Sequence, residues 1–333
     1  MKEIVLAIDI MGGDFGPSAT IEGVAIASEI YPHVKFKLFG NKKIAYEVLN
    51  KNGSLKNFEL IHTTEKIKSN DEPVNALRKL KKSSMRLGIN DVANNKCDGF
   101  VSAGNTGALM AISKFVLRTI KGINRPAIAG LMPTLKGQTV ILDLGANVDC
   151  SNQNLVQFAL MGDIFSQHVL GIKNPKVGLL NVGAEEIKGN STVRQTFDDL
   201  KKISSKINFF GFIEGNDINK GIVDVVVTDG FSGNIALKTA EGVAELIFTF
   251  LKNSYNSSLL SKIGYVLSKP ALNRFKTRID PRKYNGAVLL GLNSIVVKSH
   301  GGTDAFGFSN AIGVAISLIE NSYVSEIKKK LMF

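Results

Sequence analysis

The chain has 333 residues, of which 44% are hydrophobic, and a formal net charge of +12. It is long enough for one large α/β domain or two smaller ones, and no stretch approaches the roughly 18 uncharged apolar residues that a membrane-spanning helix needs. Cys97 and Cys150 stand far apart and the four histidines are scattered, which excludes a zinc knuckle, a disulfide framework and a histidine metal cluster and predicts a reduced, cytoplasmic protein.

Apolar β-branched runs alternate with helical patterns along most of the chain. The predicted strands cover residues 4–10, 35–39, 99–102, 139–142, 176–181, 208–212, 223–228 and 291–298, and helices are predicted over 19–29, 73–87, 108–118 and 153–170. Most of the strands are short and almost continuously apolar, which is typical of strands buried on both faces. The alternation predicts a parallel or mixed sheet with helices on both sides, and the lack of a linker predicts a single α/β domain over residues 1–333.

Residues 235–283 break this alternation. They predict one helix over 235–252 and a second that starts near residue 257 and is interrupted by Pro270. Between 252 and 283 eight basic residues face only one acidic residue, a net charge of +7. One face of the second helix carries an apolar stripe: Leu259, Leu260, Ile263, Val266 and Leu267. We predict a projecting, amphipathic, basic arm.

The stripe of this arm would be exposed unless it met a partner subunit, a lipid surface or an acyl chain; the plain alternative is a solvated helical face. Nucleic acid is a less favoured partner, because no aromatic platform accompanies the basic charge. The basic residues of the arm predicted to contact such a partner protein or lipid surface are Lys252, Lys262, Lys269, Arg274, Lys276 and Arg278.

Five glycine-rich turns with polar residues follow apolar runs. Glycine lets backbone amides approach an anion closely, and a helix that starts just after such a turn adds its positive end. If the turns meet at one edge of a sheet, they form a phosphate pocket. The residues predicted to bind substrate or phosphate are Gly12, Gly13, Asp14, Ser102, Gly104, Asn105, Thr106, Gly145, Asn147, Glu185, Gly189, Asn190, Asp229, Gly230 and Gly233.

Familiar catalytic motifs are missing from the sequence. There is no Gly-x-Gly-x-x-Gly after a strand and no His-Glu-x-x-His, and Asn234 replaces the last glycine of a nucleophile elbow. The residues therefore favour anion chemistry without a metal or a covalent nucleophile. Lys188 is predicted to supply a point charge, Asn234 an amide donor and His300 a general acid.

Each of these assignments has a structural alternative. An asparagine beside a glycine is commonly a helix cap or turn residue, and His300 is equally well explained as a partly buried histidine that holds a loop carbonyl. Asp9, Asp143 and Asp229 are interpreted as acceptors that orient the following turns, not as acids or bases.

Six segments carry a family resemblance, which extends from residue 8 to about residue 312: Met11-Gly12-Gly13-Asp14, Ser102-Ala103-Gly104-Asn105-Thr106-Gly107-Ala108, Leu144-Gly145-Ala146-Asn147-Val148-Asp149, Glu185-Glu186-x-Lys188-Gly189-Asn190, Asp229-Gly230-Phe231-x-Gly233-Asn234 and Lys298-Ser299-His300-Gly301. Together they strongly resemble the bacterial phosphate acyltransferase family, PlsX. The chain departs from the family pattern at Ala184, Asn285, Gly302 and Thr303.

This resemblance implies a Rossmann-like three-layer fold, as in phosphotransacetylases and the isocitrate and isopropylmalate dehydrogenases. It implies a homodimer without a cofactor that moves a fatty acyl group reversibly from acyl carrier protein to inorganic phosphate, giving acyl phosphate for phospholipid synthesis. A peripheral membrane location and a downstream glycerol-3-phosphate acyltransferase are further implications. The alternatives are a phosphotransacetylase that uses acyl-coenzyme A and a non-catalytic scaffold for lipid or carrier protein.

The resemblance and the residues together predict that phosphate sits in the glycine cradle near Lys188 and Asn190, against the thioester carbonyl. Backbone amides and asparagine side chains then stabilise the oxyanion.

Overall fold

The computed structural model describes residues 3–52 and 55–331. Its centre is one mixed sheet with strands in the order β3-β2-β1-β4-β11-β10-β5-β6-β9-β7-β8. The strands are β1 Ile4–Asp9, β2 Val34–Gly40, β3 Phe58–His62, β4 Gly99–Ser102, β5 Ala127–Thr134, β6 Gly137–Leu142, β7 Lys176–Leu180, β8 Asn208–Ile213, β9 Val225–Val227, β10 Ala287–Leu290 and β11 Ile295–Lys298.

The sheet consists of two parallel halves joined by an antiparallel centre. In the first half β3, β2, β1, β4 and β11 are parallel neighbours, and in the second half β6, β9, β7 and β8 are parallel neighbours. Between them β10 pairs antiparallel with both β11 and β5, and β5 pairs antiparallel with β6. The predicted α/β fold with a mixed sheet is therefore confirmed.

Helices cover both faces of the sheet and bury its nearly continuous apolar strands, such as Leu6 to Ile8 of β1 and Val225 to Val227 of β9. The helices are α1 Pro17–Ile30, α2 Lys42–Asn52, α3 Pro73–Lys79, α4 Ser84–Ala93, α5 Thr106–Leu117, α6 Asn152–Leu170, α7 Ser191–Lys202, α8 Gly215–Lys220, α9 Gly230–Asn256, α10 Leu259–Ile279, α11 Ala305–Glu320 and α12 Tyr323–Leu331, with a 3₁₀ turn at Pro281–Tyr284.

Outside the arm, two predicted elements differ from the structure. The helix predicted over 73–87 is two helices, because the Ser83 hydroxyl accepts a hydrogen bond from the Arg86 amide and starts α4 as an N-cap. The strand predicted over 291–298 begins only at Ile295, and residues 291–294 form the turn from β10. The sequence prediction also omits β3, β5 and β10.

The arm is a hairpin of α9 and α10, longer than predicted because α9 starts at Gly230. The interruption predicted at Pro270 is wrong, since α10 continues through it. Proline removes one backbone donor, and a helix without buried residues has room to adjust at that point. Among the described residues, none of the helices has the length and apolar character needed to cross a bilayer.

Candidate active site

A cavity of about 2110 Å³ opens where the two halves of the sheet meet. The carboxyl ends of β1, β4 and β11 supply one part of its wall, and the turn after β6 and the first turns of α9 supply another. The predicted site residues that line it are Gly13, Asp14, Gly104, Asn105, Thr106, Gly145, Asn234 and His300. The structure therefore brings together residues that are separated by almost 300 positions.

Asp9 and Ser102 hold the first two turns from behind the cavity wall. The buried Asp9 carboxylate accepts from Ser102 Oγ at 2.7 Å and from the Met11 amide at 3.1 Å, and Ser102 Oγ accepts from the Gly104 amide at 3.0 Å. Burial raises the pKa of Asp9, and these hydrogen bonds oppose the rise. A Cβ at Gly12 would lie 2.6 Å from the Gly104 nitrogen, so Gly12 permits this close approach without lining the cavity.

Asp143 organises the turn after β6. Its carboxylate accepts from the amides of Ile128 at 2.9 Å, Ala146 at 3.1 Å and Asn147 at 2.7 Å, and from Asn147 Nδ2 at 2.8 Å. Burial raises the pKa of Asp143, while the four donors favour its charged form. Asn147 Nδ2 also donates to the Pro126 carbonyl at 2.8 Å, so this residue supports the turn and does not line the cavity.

The start of α9 is packed against the Asp143 turn. Asp229 caps the helix by accepting from the Ser232 amide at 2.7 Å, and the Gly230 amide donates to the Asn147 carbonyl at 2.7 Å. A Cβ at Gly233 would overlap the carbonyl oxygen of Asp143. Asp229, Gly230 and Gly233 therefore lie behind the wall, and their packing places Asn234 beside Gly145 at the cavity surface.

The asparagines have different roles. Asn105 and Asn190 cap α5 and α7, since their side-chain oxygens accept from the amides of Ala108 and Val193. Asn105 Nδ2 also donates to the carbonyls of Ser69 and Asp71 and so holds the neighbouring cavity segment. Within the described ranges, the side chain of Asn234 forms no hydrogen bond with the protein, so its amide group remains a donor at the cavity surface.

The Lys188 turn lies apart from the cavity. Lys188 Nζ is 2.9 Å from Glu185 Oε1, and both side chains are exposed; the hydrogen bond from Lys188 lowers the pKa of Glu185. Lys188, Glu185, Gly189 and Asn190 are absent from the cavity wall. The five turns predicted to meet at one edge therefore do not all converge, because the turn follows β7, which β9 separates from β6.

His300 is held by Asn285, which sequence analysis noted only as a departure from a family pattern. The His300 amide donates to Asn285 Oδ1 at 2.8 Å, and Asn285 Nδ2 donates to Ser299 Oγ at 2.8 Å and to the Gly307 carbonyl at 2.7 Å. The Gly302 amide donates to His300 Nδ1 at 3.1 Å, so the neutral ring carries its proton on Nε2. The ring accepts from an amide instead of holding a loop carbonyl.

The rest of the cavity wall is mainly apolar and extends along the arm. Its apolar residues come from α5, β5 and α9: Met110, Ala111, Leu131, Met132, Leu237, Ala240, Ala244 and Phe248. The Phe248 ring lies 5.9 Å from Phe275 of α10, so the two helices of the arm meet at this wall.

The predicted apolar stripe and basic residues of the arm are exposed to solvent. Lys252, Lys262, Lys269, Arg274, Lys276 and Arg278 are exposed, and Lys252 alone of these lines the cavity. The exposed stripe residues are Leu259 at 77%, Leu260 at 79%, Ile263 at 52%, Val266 at 66% and Leu267 at 77%.

Two solved structures share the fold over nearly the whole chain. The phosphotransacetylase from Streptococcus pyogenes has a TM-score of 0.66 at 16% identity, covering 96% of this chain and 95% of that one. The EutD phosphotransacetylase from Staphylococcus aureus has a TM-score of 0.62 at 17% identity, covering 95% and 94%. The fold is therefore that of the phosphotransacetylases.

The relatives found by sequence identify the family as well as the fold. Residues 4–326 match the family model described as fatty acid synthesis protein. The phosphate acyltransferase of Paramagnetospirillum magneticum is 53% identical, with 98% of this chain and 93% of the relative covered, and that of Rhodospirillum centenum is 51% identical, with 99% and 93% covered. The chain belongs to the phosphate acyltransferase family and is an acyltransferase.

Proposed function

We propose that this enzyme transfers a long-chain fatty acyl group reversibly from acyl carrier protein to inorganic phosphate. The acyl phosphate formed would enter phosphatidic acid synthesis through a glycerol-3-phosphate acyltransferase. Family membership supports phosphate as the acceptor. No metal or other cofactor takes part in the proposed reaction.

The observation that carries the proposal is the form of the cavity. It is far larger than phosphate and an acetyl group require, and it leads from glycine-rich polar turns to an apolar wall between α5, β5 and the arm. An aliphatic chain buried along this wall gains about 0.8 kcal/mol per methylene. This gain favours long acyl groups over acetyl.

In the proposed reaction a hydrogen phosphate oxygen attacks the thioester carbonyl carbon. The Asn234 amide donates to the oxyanion, an interaction worth about 3 kcal/mol for a well-placed donor. The C–S bond then breaks, and in one concerted step the Nε2 proton of His300 passes to the leaving sulfur while the proton of the former hydrogen phosphate passes to Nε2, so the ring stays neutral. The carrier protein leaves as a thiol and the product leaves as acyl phosphate.

The experiment measures thiol release and acyl phosphate formation from palmitoyl-carrier protein, palmitoyl-coenzyme A and acetyl-coenzyme A, each with and without phosphate. We expect phosphate-dependent release that is fastest from the palmitoyl-carrier protein. Faster turnover of acetyl-coenzyme A would instead assign the enzyme to the phosphotransacetylase alternative. A scaffold would release no thiol, and membership of an acyltransferase family argues against it.

The basic arm is the proposed docking surface for the carrier protein, which is acidic. Replacing Lys262 and Arg274 together by glutamate should raise KM for the acyl-carrier protein about tenfold at low salt, because steering by opposite charges is lost. Rates with acyl-coenzyme A should change little. The control is the same charge change at Lys43 and Lys51, two exposed lysines of α2. An unchanged KM for the arm variant would contradict docking at the arm.

We also propose that the arm rests on an anionic membrane surface. Its exposed stripe of leucines, isoleucine and valine provides apolar area, and its lysines and arginines provide attraction to anionic lipid. The charge-reversed arm variant should therefore bind phosphatidylglycerol vesicles more weakly than the Lys43 and Lys51 control. Equal sedimentation of the two with vesicles would remove this part of the proposal.

A homodimer is the proposed assembly. Four exposed apolar residues at the carboxyl ends of β6, β9 and β7 support it: Val148 at 62%, Val182 at 79%, Ile187 at 82% and Phe231 at 59% exposure. Val182 and Ile187 lie in the same turn as Lys188, so a second copy that buried them would also approach Lys188. The predicted catalytic role of Lys188 stays a prediction.

A further inference from the structure

Lys298 lies at the polar end of the cavity and has no role in the proposed reaction so far. It is the last residue of β11 and is in register with Ser102 of β4. Its Nζ donates to the carbonyl of Ala103 at 3.3 Å and to the carbonyl of Ser299. The ammonium group is therefore held between the turn that starts α5 and the turn that carries His300.

Lys298 differs from the other cations of the cavity wall. The others are exposed side chains: Lys66, Lys68, Lys114, Lys238, Lys252 and Arg282. Lys298 is partly buried, and among the described residues no carboxylate lies within 4.0 Å of its Nζ. The direct hydrogen-bond partners of this partly buried ammonium are two neutral carbonyls, and the carboxylates of Asp14 and Asp9 act on it only from a greater distance. An anion beside it would therefore stabilise its charge.

The pKa of Lys298 reflects the same environment. Burial lowers it to about 8, and the carboxylates of Asp14 and Asp9 limit the fall. Below that pH the ammonium form predominates. The start of α5, Thr106–Leu117, adds the positive end of a helix to the same turn, which further favours an anion there.

We propose that Lys298 is the phosphate-binding cation of this cavity and holds the phosphate between the turns after β4 and β11, beside His300. This inference rests on the proposed function, and it assigns to Lys298 the contact that sequence analysis assigned to Lys188. Lys188 does not line the cavity and is already paired with Glu185.

Phosphate binding is measured by the rise in melting temperature with phosphate concentration, which yields an affinity without any turnover. At pH 7 we expect Lys298→Met to bind phosphate about 10- to 100-fold more weakly than the wild type, since a charged hydrogen bond is lost. Lys298→Arg should stay within a few-fold of the wild type. The control is Lys121→Met, an exposed lysine in the turn after α5, which should leave phosphate binding unchanged.

The pH dependence separates a charge role from a structural one. Wild-type affinity should fall as pH rises through about 8, because Lys298 loses its proton. In Lys298→Arg the guanidinium stays charged, so this part of the fall should disappear. Phosphate itself and the neighbouring charged or titratable groups Asp9, Asp14 and His300 are the same in both proteins, so a difference between the two pH profiles is caused by residue 298.

The possible results separate the role of Lys298 from the proposed use of phosphate as the acyl acceptor. If Lys298→Met bound phosphate as tightly as the wild type, or if only Lys188→Met lost phosphate binding, Lys298 would not be the phosphate-binding cation. Phosphate would still be the acceptor in either case. A wild-type protein that gains no thermal stability from phosphate would contradict the proposed function itself. The melting curve of each variant reports directly whether it is folded.

Discussion

Replacing His300 with alanine should lower kcat for acyl transfer from the carrier protein by about 10²- to 10⁴-fold, the range for loss of a general acid. The reason is that the leaving sulfur then receives no proton from Nε2. In the wild type the Gly302 amide donates to Nδ1, which keeps the proton of the neutral ring on Nε2. The free energy of unfolding should change little, because the side chain is exposed at the cavity surface. Steady-state rates over a range of phosphate concentrations measure the loss.

The leaving group provides a sharper test. A thioester whose thiol has a low pKa, such as an aryl thioester, departs as a thiolate without a proton, so the His300→Ala variant should recover most of its lost rate with that donor. The matched control is His33→Ala. His33 is exposed, lies just before β2 and is paired with Glu320 at the end of α11. An equal deficit with both thioesters would show that His300 does not protonate the sulfur.

The fold could be predicted from sequence where strands are buried on both faces. The β1 run is continuously apolar, and Asp9 and the glycines after it mark its end clearly. The omitted strands lack this signal: β5 contains Gly130 and Pro133, and β3 contains Glu59 and His62. Register in the antiparallel centre depends on pairing between distant segments, which periodicity does not encode.

The local structure of the turns at the site could be predicted from sequence, but which turns meet in space could not. Asp9, Asp143 and Asp229 do orient the turns that follow them, as local capping chemistry indicated. Convergence is a property of strand order, and this order puts β7 two positions from β6, so the Lys188 turn lies apart. The sequence around Lys298 does not indicate that this lysine is partly buried, because Ser299 and His300 beside it are polar.

Replacing Gly233 with alanine should reduce both the stability and the activity of the enzyme. The added methyl group would overlap the carbonyl oxygen of Asp143, which belongs to a buried turn held by four hydrogen bonds. Either the turn or the start of α9 must move, at a cost of about 1–3 kcal/mol in the free energy of unfolding. Since Asn234 is the next residue, a shift of about 1 Å should also lower kcat by about 10²-fold.

Gly242→Ala is the control for this change, because it makes the same substitution in the same helix. Nothing lies within 4 Å of a Cβ at Gly242, so only helix propensity changes there, and the free energy of unfolding should rise by about 0.5–1 kcal/mol. Urea unfolding and kcat of both variants test the pair. Gly233→Ala and Gly242→Ala could instead unfold at the same urea concentration and have the same kcat. That result would contradict the claim that close packing of α9 against the Asp143 turn positions Asn234.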